Sequence, residues 1–164
     1  MKPRVLILMR HGKAVVADGV ADHDRPLAER GQREAALAGD WLRNTQPPVD
    51  LALCSTSVRT RQTLAATGLT VVTTYEDQVY GGSPRQLIDL IRIVDDVVTT
   101  LMLVGHAPGI PWTAWELAAN RSSMPAEQMS AKFPTSAMAI LEFDRPWLDV
   151  DAGTGDLVAF HVPR

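Results

Sequence analysis

Five apolar residues in a row, Val5-Leu6-Ile7-Leu8-Met9, stop abruptly at Arg10-His11-Gly12, and Leu101-Met102-Leu103-Val104 stops in the same way at Gly105-His106. A short run with no polar alternation is the pattern of a strand buried on both faces, which needs helices on both sides of its sheet. The intervening sequence supplies them. From Glu29 to about Arg43, Ala35, Ala36, Leu37, Trp41 and Leu42 form a helical stripe that Pro47 and Pro48 close. Leu51–Cys54 reads as a second strand, and Ser57 caps a helix over Val58–Ala66 that ends at Gly68. Val71–Thr74 is β-branched and reads as a third strand. Ser83-Pro84 with Gln86 starts another helix, whose face carries Leu87, Leu90, Ile91 and Val94. Thr100–Val104 is a strand, Ile110–Ala119 a helix, the polar Asn120–Pro134 stretch a loop, and Ala137–Phe143 and Leu157–Val162 late strands. The expectation is a single domain over residues 1–164, a three-layer α/β/α fold with a mostly parallel central sheet.

Composition narrows the function. A net charge of −3 argues against a nucleic-acid partner, which calls for a basic surplus, although a small anion pocket needs only a few arginines. The lone Cys54 rules out an internal disulfide and fits a reducing compartment. No apolar run approaches the ~20 residues that span a bilayer, and Val5–Met9 is too short for a signal-peptide core. The chain reads as cytoplasmic, with no membrane association.

In open α/β sheets ligands bind just beyond the carboxyl ends of the strands. If the strands ending at Met9, Cys54 and Val104 are neighbours, their ends deliver His11, His106, Arg10 and Arg59 to one edge. Phosphoryl transfer suits that set. Arginine grips two phosphoryl oxygens in a planar fork, and a neutral imidazole can attack phosphorus to give a covalent intermediate that water hydrolyses. Positioning and electrostatics then carry the catalysis, and no metal or other cofactor is called for.

Three segments give the pattern a family resemblance. Arg10-His11-Gly12 resembles the Arg-His-Gly signature of the histidine phosphatase, or phosphoglycerate mutase-like, superfamily. Ser55-Thr56-Ser57-Val58-Arg59-Thr60-Arg61-Gln62-Thr63 resembles its Ser-Pro-x-x-Arg-Ala-x-Gln-Thr segment, with Thr56 for the usual Pro. Val104-Gly105-His106-Ala107-Pro108 resembles its Val-Gly-His-Asn-Pro segment. Asp22-His23-Asp24-Arg25-Pro26-Leu27 and Lys132-Phe133-Pro134-Thr135-Ser136 resemble the short SixA type, the phosphohistidine phosphatases. The resemblance implies His11 as nucleophile, Arg10, Arg59 and His106 around the phosphate, and Arg25 as an accessory ligand. It also implies a phosphorylated small molecule or a phosphohistidine protein as substrate, with a mutase or a non-catalytic phosphate-binding module as the rival readings. One departure stands out: Gln78 falls where mutase-like relatives carry a glutamate proton donor, which leaves Asp22, Glu76 or no acid at all.

Other residues carry simpler readings. Cys54 precedes Arg59 by one residue too few for a Cys-x5-Arg phosphatase loop and reads as a small buried hydrophobe. His11, Asp22, His23, Asp24 and His106 lack metal-ligand spacing, and Arg10 would repel a cation. Arg30, Arg33 and Glu34 read as a solvated helix face, His23 as exposed and idle, and His161 as without a role. Trp112 and Trp115 lie between a substrate mouth and the core, with at least one of them in the core.

Overall fold

The computed structural model describes residues 2–164. Six strands form one sheet: β1 (Arg4–Arg10), β2 (Leu51–Ser55), β3 (Val72–Glu76), β4 (Thr100–Gly105), β5 (Met138–Phe143) and β6 (Asp156–His161). Their order is β3-β2-β4-β1-β5-β6, parallel from β3 to β1 and antiparallel at β5 and β6. The helices are α1 (Glu29–Thr45), α2 (Val58–Ala66), α3 (Asp77–Gly81), α4 (Pro84–Arg92), α5 (Gly109–Leu117) and α6 (Met124–Ala131).

Side chains alternate across the central strands and build a core on each face. Val5, Ile7 and Met9 meet Ala35, Ala38 and Leu42 of α1 and Leu64 of α2. Leu6, Leu8, Leu101 and Leu103 meet Leu87, Ile91, Ile110 and Ala114 of α4 and α5. This is the three-layer α/β/α arrangement expected for strands with no polar alternation.

Two caps form as the sequence implies. Ser57 Oγ accepts from Thr60 N at the start of α2. Ser83 and Gln86 complete a reciprocal box at the start of α4, with Pro84 in the first turn.

The structure departs from the sequence reading at four places. Asn120–Pro134 contains α6, which Ser123 caps and in which Pro125 occupies the first turn, where a missing N–H costs nothing. α3, a helix of five residues, follows directly on β3. On α1, Ala36 and Leu37 face solvent, while Gly31, Glu34, Ala38 and Gly39 turn inward with Ala35 and Leu42. Glu34 is therefore not on a solvated face: it is buried, and its carboxylate accepts from Arg30 and Arg164. Gly31 and Gly39 are required there, because a Cβ would lie 2.3 Å from the Lys13 carbonyl oxygen and 1.9 Å from that of Thr67.

Candidate active site

Strand register decides what meets at the sheet edge. Arg10 pairs with Gly105, and Cys54 with Val104, so β1, β4 and β2 end level with one another. The next residues out are His11 and His106, and the His11 amide extends the ladder to the Gly105 carbonyl at 2.9 Å. Beyond β2, the tight Ser55–Ser57 turn leads into α2 and places Arg59 in its first turn, 6% exposed.

Hydrogen bonding fixes both imidazole tautomers. Arginine can only donate, and Arg59 Nε points at His11 Nε2 from 3.4 Å, so that nitrogen carries the lone pair. His11 Nδ1–H donates to the Gly12 carbonyl at 2.7 Å. Arg59 Nη2 likewise faces His106 Nδ1 at 3.3 Å, and His106 Nε2–H donates to Ser55 Oγ at 2.8 Å. Burial, reinforced by the Arg59 and Arg10 charges, holds the His11 pKa down to about 4, and burial with the His11 and Arg59 charges holds His106 at about 3. Both rings are neutral at neutral pH, with centroids 5.1 Å apart.

Arg10, the last residue of β1, is anchored by Nη1 to the Phe133 carbonyl at 2.9 Å. Ser136, at φ 64°, donates its backbone N–H to the Arg10 and His11 carbonyls at 3.1 and 3.0 Å. Thr63 Oγ1 accepts from Gly12 N at 2.9 Å and donates to the Arg59 carbonyl at 2.7 Å, tying the turn that carries His11 to α2. Thr63 and Ser136 lie within the family-like segments, yet only the folded chain shows what they hold.

The segment after Gly12 folds over the pocket. Its base is pinned by the Ala14–Leu27 bridge and by Gln62, whose side-chain oxygen accepts from Leu27 N at 2.7 Å. At its far end the Asp22 carboxylate accepts from Arg59 Nη2 and Arg25 Nη1, each at 3.0 Å, and from the Tyr80 hydroxyl. These donors hold its pKa far below the usual carboxylate range, the Tyr80 bond first and Arg59 next. Asp22 is thus a persistent anion here, which speaks against it as a proton donor. Arg25 reaches the pocket through Asp22 and is otherwise bonded to the Val15 carbonyl at 3.0 Å. Glu76 closes β3 beside Ser55, and among the described residues no hydrogen bond links its side chain to His11, Arg59 or His106.

Tyr80 escaped the sequence reading. Its ring meets His106 edge-on at 5.1 Å and His23 at 5.0 Å. His23 is not idle either: its Nε2 bonds Thr56 Oγ1 at 2.9 Å, and that hydroxyl donates to Asp77 at 2.8 Å. A cleft of about 280 Å³ opens beside His106 and Tyr80, lined further by Gly82, Ser83, Pro108 and Trp112. Trp112 is 61% exposed, whereas Trp115 packs against the core. Cys54 is fully buried, with its thiol pushed up to about 12 by that burial, as suits a packing residue. His161 stacks on Trp41 at 4.3 Å, away from the pocket.

Residues 6–78 match the model of the histidine phosphatase superfamily, branch 1. An uncharacterised protein of Mycobacterium tuberculosis is 51% identical over 158 residues, covering 95% of this chain and all of the relative. A solved structure from Nakamurella multipartitia, named a putative phosphohistidine phosphatase SixA, superposes with a TM-score of 0.92 at 40% identity, covering 99% of this chain and 98% of its own. The chain belongs to the histidine phosphatase superfamily. A second solved structure, named a putative phosphohistidine phosphatase SixA and from Agrobacterium tumefaciens, superposes with a TM-score of 0.77 at 29% identity, covering 99% of this chain and 100% of its own. This histidine phosphatase is therefore a phosphatase with a SixA-like fold. No described helix of it is long and apolar enough to cross a membrane.

Proposed function

We propose that this histidine phosphatase hydrolyses phosphohistidine on proteins, with His11 as nucleophile and one domain spanning residues 1–164. The observation that carries the reading is the His11 tautomer: Nδ1–H is held by the Gly12 carbonyl, and the Nε2 lone pair faces Arg59. In the first step Nε2 forms a bond to phosphorus as the substrate's P–N bond breaks, and the departing imidazole nitrogen takes a proton from solvent. In the second, water forms a P–O bond and releases inorganic phosphate and neutral His11. Arg59 and Arg10 hold the phosphoryl oxygens, with Arg25 as accessory, and the neutral His106 joins them once Ser55 Oγ donates to its Nε2 and the ring proton sits on Nδ1; Arg supplies the charge the transition state needs.

Two features support a phosphohistidine substrate. Imidazole departs readily, which suits a pocket whose nearest carboxylate, Asp22, is held as an anion. Among the described residues the cleft beside His106 is lined by no Lys, Arg, Asp or Glu, so it suits a neutral ring and offers no cationic partner to the carboxylate of a phosphoglycerate. The name given to the Nakamurella multipartitia relative, a putative phosphohistidine phosphatase, points the same way. The buried thiol of Cys54 fits a reducing, cytoplasmic setting.

The test is to quench the enzyme during turnover of a 32P-phosphohistidine protein. Label should be found on His11 in an acid-labile, base-stable form, and His11→Ala should abolish both label and turnover. Label on serine or cysteine would overturn the proposal.

A further inference from the structure

The contacts around Asp22 have a geometry of their own. Arg59 spends both terminal nitrogens on this one residue: Nη1 on its backbone carbonyl at 2.6 Å and Nη2 on its carboxylate at 3.0 Å. Those nitrogens form part of the fork that a phosphoryl group would use. The same carboxylate collects Arg25 and the Tyr80 hydroxyl, so donors from the segment after β1, from α2 and from α3 converge on one anion. The side chain is nevertheless 54% exposed, so burial does not explain the convergence.

We infer that Asp22 is a resident stand-in for the substrate's phosphoryl oxygens, and that Tyr80 is a phosphoryl ligand whose hydroxyl Asp22 occupies until substrate displaces it. This rests on the phosphoryl-pocket reading above and adds to it a ligand and an internal competitor. The segment is built to let go. Its base is held by the Val15 N to Pro26 O bond at 2.8 Å, while residues 16–21 are exposed and turn at Gly19, φ 78°. A Cβ at Gly19 would meet nothing within 4 Å, so the tip has room to swing outward. An entering dianion replaces the carboxylate on Arg59 and takes over the Tyr80 donor. A monoanion offers less charge than the contacts it must break, so the device favours phosphomonoester and phosphoramidate dianions over singly charged ligands.

The test is calorimetric binding of tungstate, a phosphoryl mimic, in place of turnover. A site filled by its own carboxylate most of the time has its apparent Kd raised by the inverse of the free fraction. Asp22→Asn should therefore tighten tungstate binding by about tenfold, and Asp22→Ala should act in the same direction. Tyr80→Phe should shift the parent protein by less than about threefold, since it weakens ligand and competitor together. In the Asp22→Asn background it should loosen binding by about tenfold, the loss of one hydrogen bond to a charged group. Weaker binding in both Asp22 variants would mean that Asp22 merely positions Arg59, and unchanged binding on Tyr80→Phe in the Asp22→Asn background would remove Tyr80 from the site. Either result overturns the inference while leaving the pocket intact. No tungstate binding by any of the proteins would overturn the pocket reading and the inference with it.

Discussion

Replacing Thr63 by valine removes one oxygen atom and leaves the shape of a fully buried side chain unchanged. That oxygen accepts from Gly12 N at 2.9 Å and donates to the Arg59 carbonyl at 2.7 Å. The carbonyl keeps its place in the α2 ladder, so its loss is small. The buried Gly12 amide loses its partner, at a cost of about 1–3 kcal/mol. Taking about 2 kcal/mol, the melting temperature should fall by about 4–8 °C for a chain of this size. The catalytic effect should be larger than the stability effect suggests. Gly12 also supplies the carbonyl that orients the His11 ring, and a small displacement of a reacting group costs about 10–100-fold in rate. Single-turnover phosphorylation of His11 should slow by that factor, with little change in phosphate affinity. Thr63→Ser keeps the oxygen and should retain the rate while losing some stability from the missing methyl. A Thr63→Val protein that melts within about 0.5 kcal/mol of the parent and turns over normally would refute the reasoning.

Other outcomes follow from the same geometry. Since His11 must be neutral to attack, kcat/KM corrected for the fraction of substrate present as the dianion should stay flat down to about pH 5 and fall as pH drops through about 4. Stability has its own window: unfolded histidine takes up a proton near pH 6.5 but folded His11 only near 4, so the fold loses stability as pH falls between these values, as urea titrations at stepped pH should show. Gly31→Ala forces a Cβ to within 2.3 Å of the Lys13 carbonyl, two residues past His11. It should cost about 1–3 kcal/mol in a thermal melt and depress turnover as well. Trp112→Ala should lower kcat/KM for aryl phosphates by about fivefold, the loss of roughly 1 kcal/mol of ring contact, while inhibition by inorganic phosphate stays unchanged.

The parts of the site legible in the sequence are those encoded by a few adjacent residues. Arg10-His11-Gly12 and Gly105-His106 follow runs whose burial needs no partner to recognise, and the Ser57 and Ser83 caps are local bonds. Helix α6 was hidden because Pro125 reads as a breaker unless Ser123 is seen as the cap that puts it in the first turn. Glu34 reads as solvated because its partner Arg164 lies at the far end of the sequence. Asp22 reads as an acid for the same kind of reason: its anionic state is set by Arg59 and Tyr80, whose approach depends on α2 and α3 being in place. Tyr80 itself belongs to a five-residue helix with too few turns to show a period.

The level ends of β1, β2 and β4 also bear on how the molecule comes into being. The spatial order β2-β4-β1 is not the order of synthesis, and Val5 finds its neighbour at Thr100. Pairings that distant require closing long loops before any contact rewards them, which makes them slow events in folding. His11, Arg59 and His106 converge only after that slow central pairing, although α1 and α2 could form earlier. During refolding, the recovery of helical signal should precede the recovery of phosphatase activity, and activity should appear together with the last central strand, β4.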